Sequence, residues 1–221
     1  MKNNKWVMVM IPLMFIGIGI YTLFHRPFSY ASTNSEERLL VHHPSLEAYF
    51  SPDEDIQSMI VKLIRSETKS IWCAAFRLTD KIIAGELLDA MKRGIKLTLV
   101  VDREGFSATQ SKLLHLFKEG VPIYIFPPLS QNELKDGGVV TKDRFGSQPL
   151  MHNKFMLFHG QNTLLTGSYN FTKSAQSQNQ ENVLIVRNNT SVFNQYCNQF
   201  KIICTRSTLF STKQEHIVHV Q

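Results

Sequence analysis

The chain has 221 residues, of which 43% are hydrophobic, and its three cysteines are too few for a disulfide framework. This length suits one globular domain with appendages. The formal charge is +6, but residues 1–31 contain three basic residues and no acid, so the remainder holds 21 basic and 18 acidic residues. That balance is too mild to indicate nucleic-acid binding by itself.

The first 31 residues are predicted to lie outside the fold. Residues 6–24 form an apolar run behind a basic start, and the small residues Ser29 and Ala31 match the pattern that a signal peptidase reads. The run is also close to the roughly 20 residues that span a bilayer. We therefore expect an export signal cleaved after Ala31, or else a retained membrane anchor. Either one places the globular part outside the cytoplasm, as a periplasmic, secreted or membrane-anchored protein.

Residues 32–45 are predicted to form a polar linker, residues 46–206 the folded domain, and residues 207–221 a polar tail. Within the domain, strand-like and helix-like patterns alternate over short connections. This alternation predicts an α/β fold in which helices cover both faces of a mixed β-sheet. No internal repeat is visible, so we expect one copy of any site per chain.

The predicted elements follow one another along the domain. The predicted strands are residues 46–50, 70–76, 95–102 and 121–126, two strands around the turn at 160–162, and residues 181–186. The predicted helices are residues 51–67 with Ser51 as the N-cap, residues 79–94, residues 107–120, and a terminal helix over 192–203. The connection over 127–149 is long and polar, and a connection of that kind is usually functional or disordered.

Two polar residues interrupt the apolar run at residues 151–158. An extended strand places His152 and Lys154 on the same face, because side chains two apart point the same way. A buried lysine without a partner destabilises a fold, so the pair indicates a site for an anion. The alternative is a strand end at which both side-chain tips reach water.

A glycine, a hydroxyl and a carboxamide follow in TGSYN, where the next strand is predicted to end. Ser168 and Asn170 supply neutral groups of the kind that bind phosphate oxygens. Glu181 opens a further strand and is the only acid between Asp143 and the C-terminal tail. A carboxylate near a histidine fixes the tautomer and orientation of the ring.

Together, HNKFMLFHGQNTLLTGSYNFT and the later NQENVLIV resemble the HxK…GSxN signature of the phospholipase D superfamily. The chain is similar to the small single-motif members, such as bacterial periplasmic endonucleases and mitochondrial cardiolipin hydrolase. The resemblance covers most of residues 46–206. It identifies that range as a phospholipase D-like catalytic domain, with a mixed sheet flanked by helices on both faces and one motif per chain.

The resemblance implies a phosphodiesterase that needs no metal or other cofactor. His152 would attack phosphorus and form a phosphohistidine, while Lys154 and Asn170 neutralise the phosphoryl oxygens. Ser168 would assist, and Glu181 would orient His152. The same histidine of a second motif protonates the leaving alcohol and then activates water. Because this chain has one motif, we expect a homodimer in which two copies of His152 share one active site.

One position departs from the family pattern. The family usually has aspartate seven residues after the histidine, where this chain has His159. The turn at 160–162 is one residue longer than usual, and Glu181 is displaced by the same single residue, which indicates one local insertion. We expect His159 to be a tolerated turn residue away from phosphorus, whose replacement would affect stability before chemistry.

Two classes of substrate fit the predicted site. An endonuclease acting on DNA or RNA fits the small size, the single motif and the expected export, and it needs basic residues for phosphates. The predicted substrate-binding residues are Lys173, Arg77 and Arg144, with Arg103, Lys135 and Lys142 as further candidates. A phospholipase D would use the same catalytic set, and it fits a retained anchor and the apolar FPPL stretch at 126–129. A non-catalytic nucleic-acid- or membrane-binding protein is the alternative of a different class, and only His159 favours it.

Overall fold

A mixed β-sheet forms the centre of the structure, a computed structural model that describes residues 43–108, 110–128 and 149–211. In the described part, the strands are β1 (Ser45–Ser51), β2 (Ser70–Ala75), β3 (Lys96–Asp102), β4 (Ile123–Phe126), β5 (Lys154–Phe158), β6 (Thr163–Gly167), β7 (Glu181–Arg187) and β8 (Thr208–Leu209). They lie in the order β1-β7-β6-β5-β2-β3-β4-β8. β2, β3 and β4 are mutually parallel, and the other neighbours are antiparallel. The predicted mixed sheet is confirmed.

Helices cover both faces of this sheet, as predicted. They are α1 (Ile56–Ser66), α2 (Lys81–Lys92), α3 (Arg103–Ser107), α4 (Leu113–Lys118), α5 (Lys173–Ser177) and α6 (Thr190–Thr205). The alternation of side chains along β5 shows the two layers. Met156 and Phe158 join the larger core beneath α1 and α2, whereas Phe155 and Leu157 join the core beneath α6. Full burial of each such side chain contributes roughly 1.5–3 kcal/mol.

The first helix begins later than the sequence indicates. Ser51 is not its N-cap but the last residue of β1, where its buried hydroxyl donates to the carbonyl of Ala175 at 2.6 Å. Asp55 caps α1 instead, because its carboxylate accepts the backbone N–H of Ser58 at 2.9 Å. An aspartate satisfies a free N–H at a helix start as well as a serine does.

The helix predicted over 107–120 is shorter in the structure: only α4 lies within that range, and α3, which was not predicted, ends where the range begins. Asp102 caps α3, and the chain turns extended at Ala108. The N–H of Lys112 then bonds to the carbonyl of Leu78 at 3.0 Å, just before α4 starts. Two further elements were not predicted: α5, and β8 inside the predicted tail, where β8 pairs with β4 and Phe210 is buried.

The strand directions bring the predicted site residues to one edge of the sheet. β2, β3 and β6 end there and β5 and β7 start there, because β5 is antiparallel to β2 and β6. Ala75 therefore lies opposite Lys154, and Ser51 lies opposite Glu181. The carboxyl ends of parallel strands are where ligands usually bind in open α/β sheets.

The described helices differ in length and hydrophobicity from a segment that spans a bilayer. None of them is both long enough and apolar enough to cross a membrane. The predicted leader at 1–31 and most of the connection at 127–149 lie outside the described residues.

Candidate active site

His152 and Lys154 lie next to each other where β5 begins. The strand starts at Lys154, so His152 precedes it and is exposed, while Lys154 is only 6% exposed. The Lys154 ammonium donates to the carbonyl oxygen of His152 at 2.6 Å. Burial lowers the pKa of Lys154, and the nearby carboxylates of Glu181 and Asp102 partly offset that effect. An ammonium held in this way is preorganised to neutralise an anion beside His152.

Phe76, which the sequence analysis did not single out, forms the floor beneath both residues. It follows β2 directly and is 8% exposed. Its ring centroid lies 4.5 Å from that of His152 and 5.0 Å from the Lys154 ammonium nitrogen. An aromatic residue at the carboxyl end of a buried strand is the signal that could have identified it.

Asp102 is the second residue that sequence reasoning missed. It ends β3, is 1% exposed, and its carboxylate accepts the backbone N–H of Met151 and of Glu104, each at 2.8 Å. Met151 directly precedes His152, so Asp102 positions the chain that carries the exposed histidine. Burial raises the pKa of Asp102, against the effect of the two hydrogen bonds.

The Gly-Ser-Tyr-Asn segment is bound closely to β7 and to the loop after β2. A Cβ atom on Gly167 would lie 2.1 Å from the carbonyl oxygen of Asn182, so only glycine fits there. The N–H of Ser168 donates to that same carbonyl at 3.1 Å, and the Ser168 hydroxyl accepts the Asn182 N–H at 3.0 Å. The segment is therefore held through backbone contacts on both sides.

Asn170 has an unsatisfied side chain within the part of the chain that the structure describes. Its amide oxygen is buried there without a hydrogen-bond partner. The next residue, Phe171, donates its N–H to the carbonyl of Arg77 at 3.1 Å and accepts from the N–H groups of Thr79 and Asp80. Because a buried polar atom without a partner destabilises the fold, this amide oxygen is suited to accept a hydrogen bond from a ligand.

Glu181 opens β7 at the same edge of the sheet. Its carboxylate accepts a hydrogen bond from the side chain of Asn179 at 2.9 Å, and its charge acts on Lys154. Among the described residues, no hydrogen bond joins it to His152. The role of Glu181 in orienting that histidine stays a prediction.

The predicted cations differ in where they lie. Arg77 is beside Asn170 and pairs with Glu104 at 2.6 Å. Lys173 is exposed at the first position of α5. Arg103 donates instead to the carbonyl groups of Pro127 and Pro128, at the start of the long connection. Arg144, Lys135 and Lys142 lie outside the described residues.

His159 lies at the opposite end of β5 from His152, as expected. Its ring contacts Trp72 and Phe193 edge-on, at centroid distances of 4.4 Å and 5.2 Å. A carboxylate is nevertheless present at this turn, supplied by Glu67, which is 3% exposed. One of its oxygens accepts the backbone N–H groups of Thr68, Lys69 and Gly160 at 2.6–2.9 Å. We infer that Glu67 takes over the structural task of the usual aspartate.

In residues 43–108, 110–128 and 149–211, no group of three or more His, Cys, Asp or Glu side chains could hold a metal ion.

The sequence and the fold have clear counterparts among known proteins. The family described as "Cardiolipin synthase, PLD-like domain" matches residues 60–203. A phospholipase D of Rickettsia prowazekii is 27% identical over 197 residues, which cover 84% of this chain and 86% of the relative. Nuc of Salmonella typhimurium, a phospholipase D family member, has a TM-score of 0.62 and 22% identity, over 76% of this chain and 99% of its own. NucT of Helicobacter pylori has a TM-score of 0.64 and 18% identity, over 76% and 100%. At those identities the two structures show the fold.

A mixed sheet that carries histidine, lysine, serine and asparagine at one edge defines a class of phosphodiester hydrolases. The chain belongs to the phospholipase D superfamily, because the family match covers well over half of its length.

Proposed function

We propose that this phosphodiesterase works without a metal ion, forms a phosphohistidine on His152, and acts as an endonuclease on DNA or RNA. The observation that supports this most directly is the arrangement around His152. An exposed imidazole lies beside a buried ammonium, at the edge where Asn170 has a buried amide oxygen without a described partner. A nucleophile, a cation and a neutral polar group are what phosphoryl transfer requires.

The proposed reaction proceeds in two displacements. In the first, an imidazole nitrogen of His152 forms a bond to phosphorus, the bond to the leaving oxygen breaks, and a second histidine donates a proton to that oxygen. In the second displacement, the second histidine accepts a proton from water. The water oxygen bonds to phosphorus while the bond between phosphorus and His152 breaks. Lys154 neutralises phosphoryl oxygens in both steps.

We propose that the second histidine is His152 of another copy of this chain. An uncovered apolar face of the sheet supports this dimer. Leu46 and Phe50 of β1 and Leu184 of β7 are 68%, 57% and 37% exposed. They lie on the α6 side of the sheet, but α6 packs on β3, β4 and β5 and leaves them open. We define Leu46, Phe50 and Leu184 as the open apolar face.

The position of the open apolar face relative to the site also supports the dimer. Phe50 lies directly opposite Asn182, whose backbone N–H donates to the Ser168 hydroxyl. A second copy that covered this face by two-fold symmetry would therefore approach the catalytic edge. Self-complementary contact of this kind is the usual geometry of homodimers.

Nucleic acid is the first candidate substrate because Arg77 lines a cavity together with Asn170, and the exposed Lys173 follows Asn170 by three residues. Phospholipid is the second candidate. Leu150, two residues before His152, is 51% exposed, and the similar Rickettsia prowazekii protein is named phospholipase D. Export, or anchoring through residues 6–24, is part of the same proposal and rests on the N-terminal sequence.

Hydrolysis of bis(p-nitrophenyl) phosphate in EDTA tests the proposed activity. We expect turnover in the wild-type protein and its loss in His152→Ala, whereas His115→Ala, an exposed histidine on α4, retains it. Activity that survives His152→Ala would refute the assigned nucleophile, and no wild-type turnover would favour a non-catalytic binding protein. DNA, RNA and phospholipid offered in parallel to the same preparation distinguish the two substrate classes.

A further inference from the structure

A polar cavity adjoins the catalytic edge and has no role in the reaction described above. Its volume is about 410 Å³, and it extends from Asn170 towards α5 and the loop after β2. Asn170 belongs both to the cavity and to the catalytic edge, so a ligand in the cavity would be continuous with a phosphodiester at His152.

The described lining of the cavity is rich in hydroxyl and carboxamide groups. These come from Thr79, Gln110, Thr172, Ser174 and Asn179, in addition to Asn170. Groups of this kind exchange hydrogen bonds with a hydroxylated ligand. No aromatic side chain is among the described lining residues, so the cavity offers no surface on which a base could stack.

Arg77 is the one charged residue in that described lining. Its side chain is 48% exposed, and its ion pair with Glu104 leaves most of the five guanidinium N–H donors for other acceptors. Guanidinium groups bind phosphate in a bidentate manner, and an exposed ion pair contributes little to hold the side chain elsewhere. This end of the cavity is therefore suited to an anion.

A shared aromatic ring relates this cation to the nucleophile. The Arg77 guanidinium carbon lies 5.4 Å from the centroid of Phe76, and the His152 ring lies 4.5 Å from the same centroid. The Arg77 guanidinium and the His152 ring thus contact the same Phe76 ring. Their separation is therefore limited to the width of that ring plus one contact distance on each side. The two groups are therefore near enough to bind two parts of one ligand.

We propose that the cavity is a subsite for the sugar and phosphate that neighbour the scissile phosphodiester of a nucleic acid strand. Arg77 binds the neighbouring phosphate, and the hydroxyl and carboxamide groups bind the sugar. Because no aromatic ring of the described lining stacks on a base, we expect the subsite to accept any nucleotide. This inference rests on the proposed function, since it assumes that the scissile phosphodiester binds at His152.

Calorimetry with ligands that differ by one group tests the subsite without turnover. We expect thymidine 3′,5′-bisphosphate to bind at least about tenfold more tightly than thymidine 5′-phosphate, and adenosine 3′,5′-bisphosphate to match it within about threefold. The second phosphate should lose its advantage in Arg77→Gln, and Ala108→Phe, which fills the cavity, should weaken both bisphosphates. Ser177→Ala, on α5 but outside the lining, is the matched control.

Three results would overturn the proposal. Equal affinity of the mono- and bisphosphates would remove the subsite, as would a phosphate advantage that survives Arg77→Gln. Glycerol 3-phosphate that bound as tightly as the bisphosphates would assign the cavity to a lipid glycerophosphate instead. Hydrolysis of bis(p-nitrophenyl) phosphate, which has no sugar, is measured alongside. If the wild-type protein does not hydrolyse this compound, the proposed activity is refuted independently of these affinities.

Discussion

Asp102 accepts a hydrogen bond from the backbone N–H of Met151 at 2.8 Å, so the end of β3 holds the residue that directly precedes His152. On the other side, Lys154 donates to the carbonyl oxygen of His152 at 2.6 Å. The exposed histidine thus projects from a backbone that is held at both ends. Its position is set by two buried charged residues on β3 and β5, the strands on either side of β2.

Asp102→Asn is expected to lower kcat by about 10- to 100-fold with little change in KM, because a small displacement of a reacting group has effects of that order. The asparagine side chain has one oxygen, so it cannot accept the backbone N–H groups of both Met151 and Glu104 in the way that the two carboxylate oxygens do. The measurement is steady-state hydrolysis of bis(p-nitrophenyl) phosphate, with circular dichroism to check folding. Asp89→Asn, which removes an exposed carboxylate on α2, should change neither constant. A folded Asp102→Asn protein with wild-type kcat would contradict the positioning role.

The lowered pKa of Lys154 predicts opposite effects of alkaline pH on activity and on stability. Activity should fall as the ammonium loses its proton, at a pH below the ordinary lysine value of 10.5. In the same range the unfolded chain still binds that proton and the folded chain does not, so the free energy of unfolding should rise with pH. Denaturation of the wild type and of Lys154→Met across this range measures the difference. Equal pH dependence of stability in the two proteins would contradict the prediction.

Glu67→Gln is expected to lower the free energy of unfolding by about 1–3 kcal/mol, because buried backbone N–H groups lose a charged acceptor. It should leave kcat per folded molecule unchanged, since Glu67 lies at the far end of β5 from His152. Urea denaturation and active-site titration measure the two quantities. Glu86→Gln, in an exposed ion pair with Arg65, is the control and should change stability by less than about 1 kcal/mol.

His159→Asp should destabilise this protein, although aspartate is usual in the family. The new carboxylate would come close to that of Glu67, whose charge already acts on His159. In a Glu67→Gln background the same substitution should cost less, which a double-mutant cycle measures as a coupling free energy. Additive effects of the two substitutions would show that Glu67 has not replaced the aspartate.

Leu184→Arg is expected to disrupt the proposed dimer and its activity together, because a charge on the open apolar face would oppose its burial. Analytical ultracentrifugation and turnover should change over the same range of protein concentration. Leu114→Arg, at an exposed leucine on the opposite side of the sheet, should leave both unchanged. An active wild-type protein that sediments as a monomer at all concentrations would contradict the shared site.

The sequence predicted the elements whose residues are near neighbours along the chain. The hairpin of β5 and β6, and the position of Glu181 at a strand start, follow from local alternation, whereas His152 was expected inside the strand and lies just before it. The long-range contacts that hold the two ends of β5 could not be read in this way. Asp102 and Met151 are 49 residues apart, and Glu67 and Gly160 are 93 apart, so only the fold brings each pair together. The break after α3 likewise depends on a long-range bond, from Lys112 to Leu78.

The consecutive residues Asp102 and Arg103 bind the two ends of the long connection between β4 and β5. Arg103 binds the carbonyl groups of Pro127 and Pro128, where that connection departs, and Asp102 binds Met151, where it returns. Two consecutive residues, the last of β3 and the one after it, thus hold both ends of this connection by hydrogen bonds. A change of sequence between these two anchors is therefore expected to leave the position of His152 unchanged.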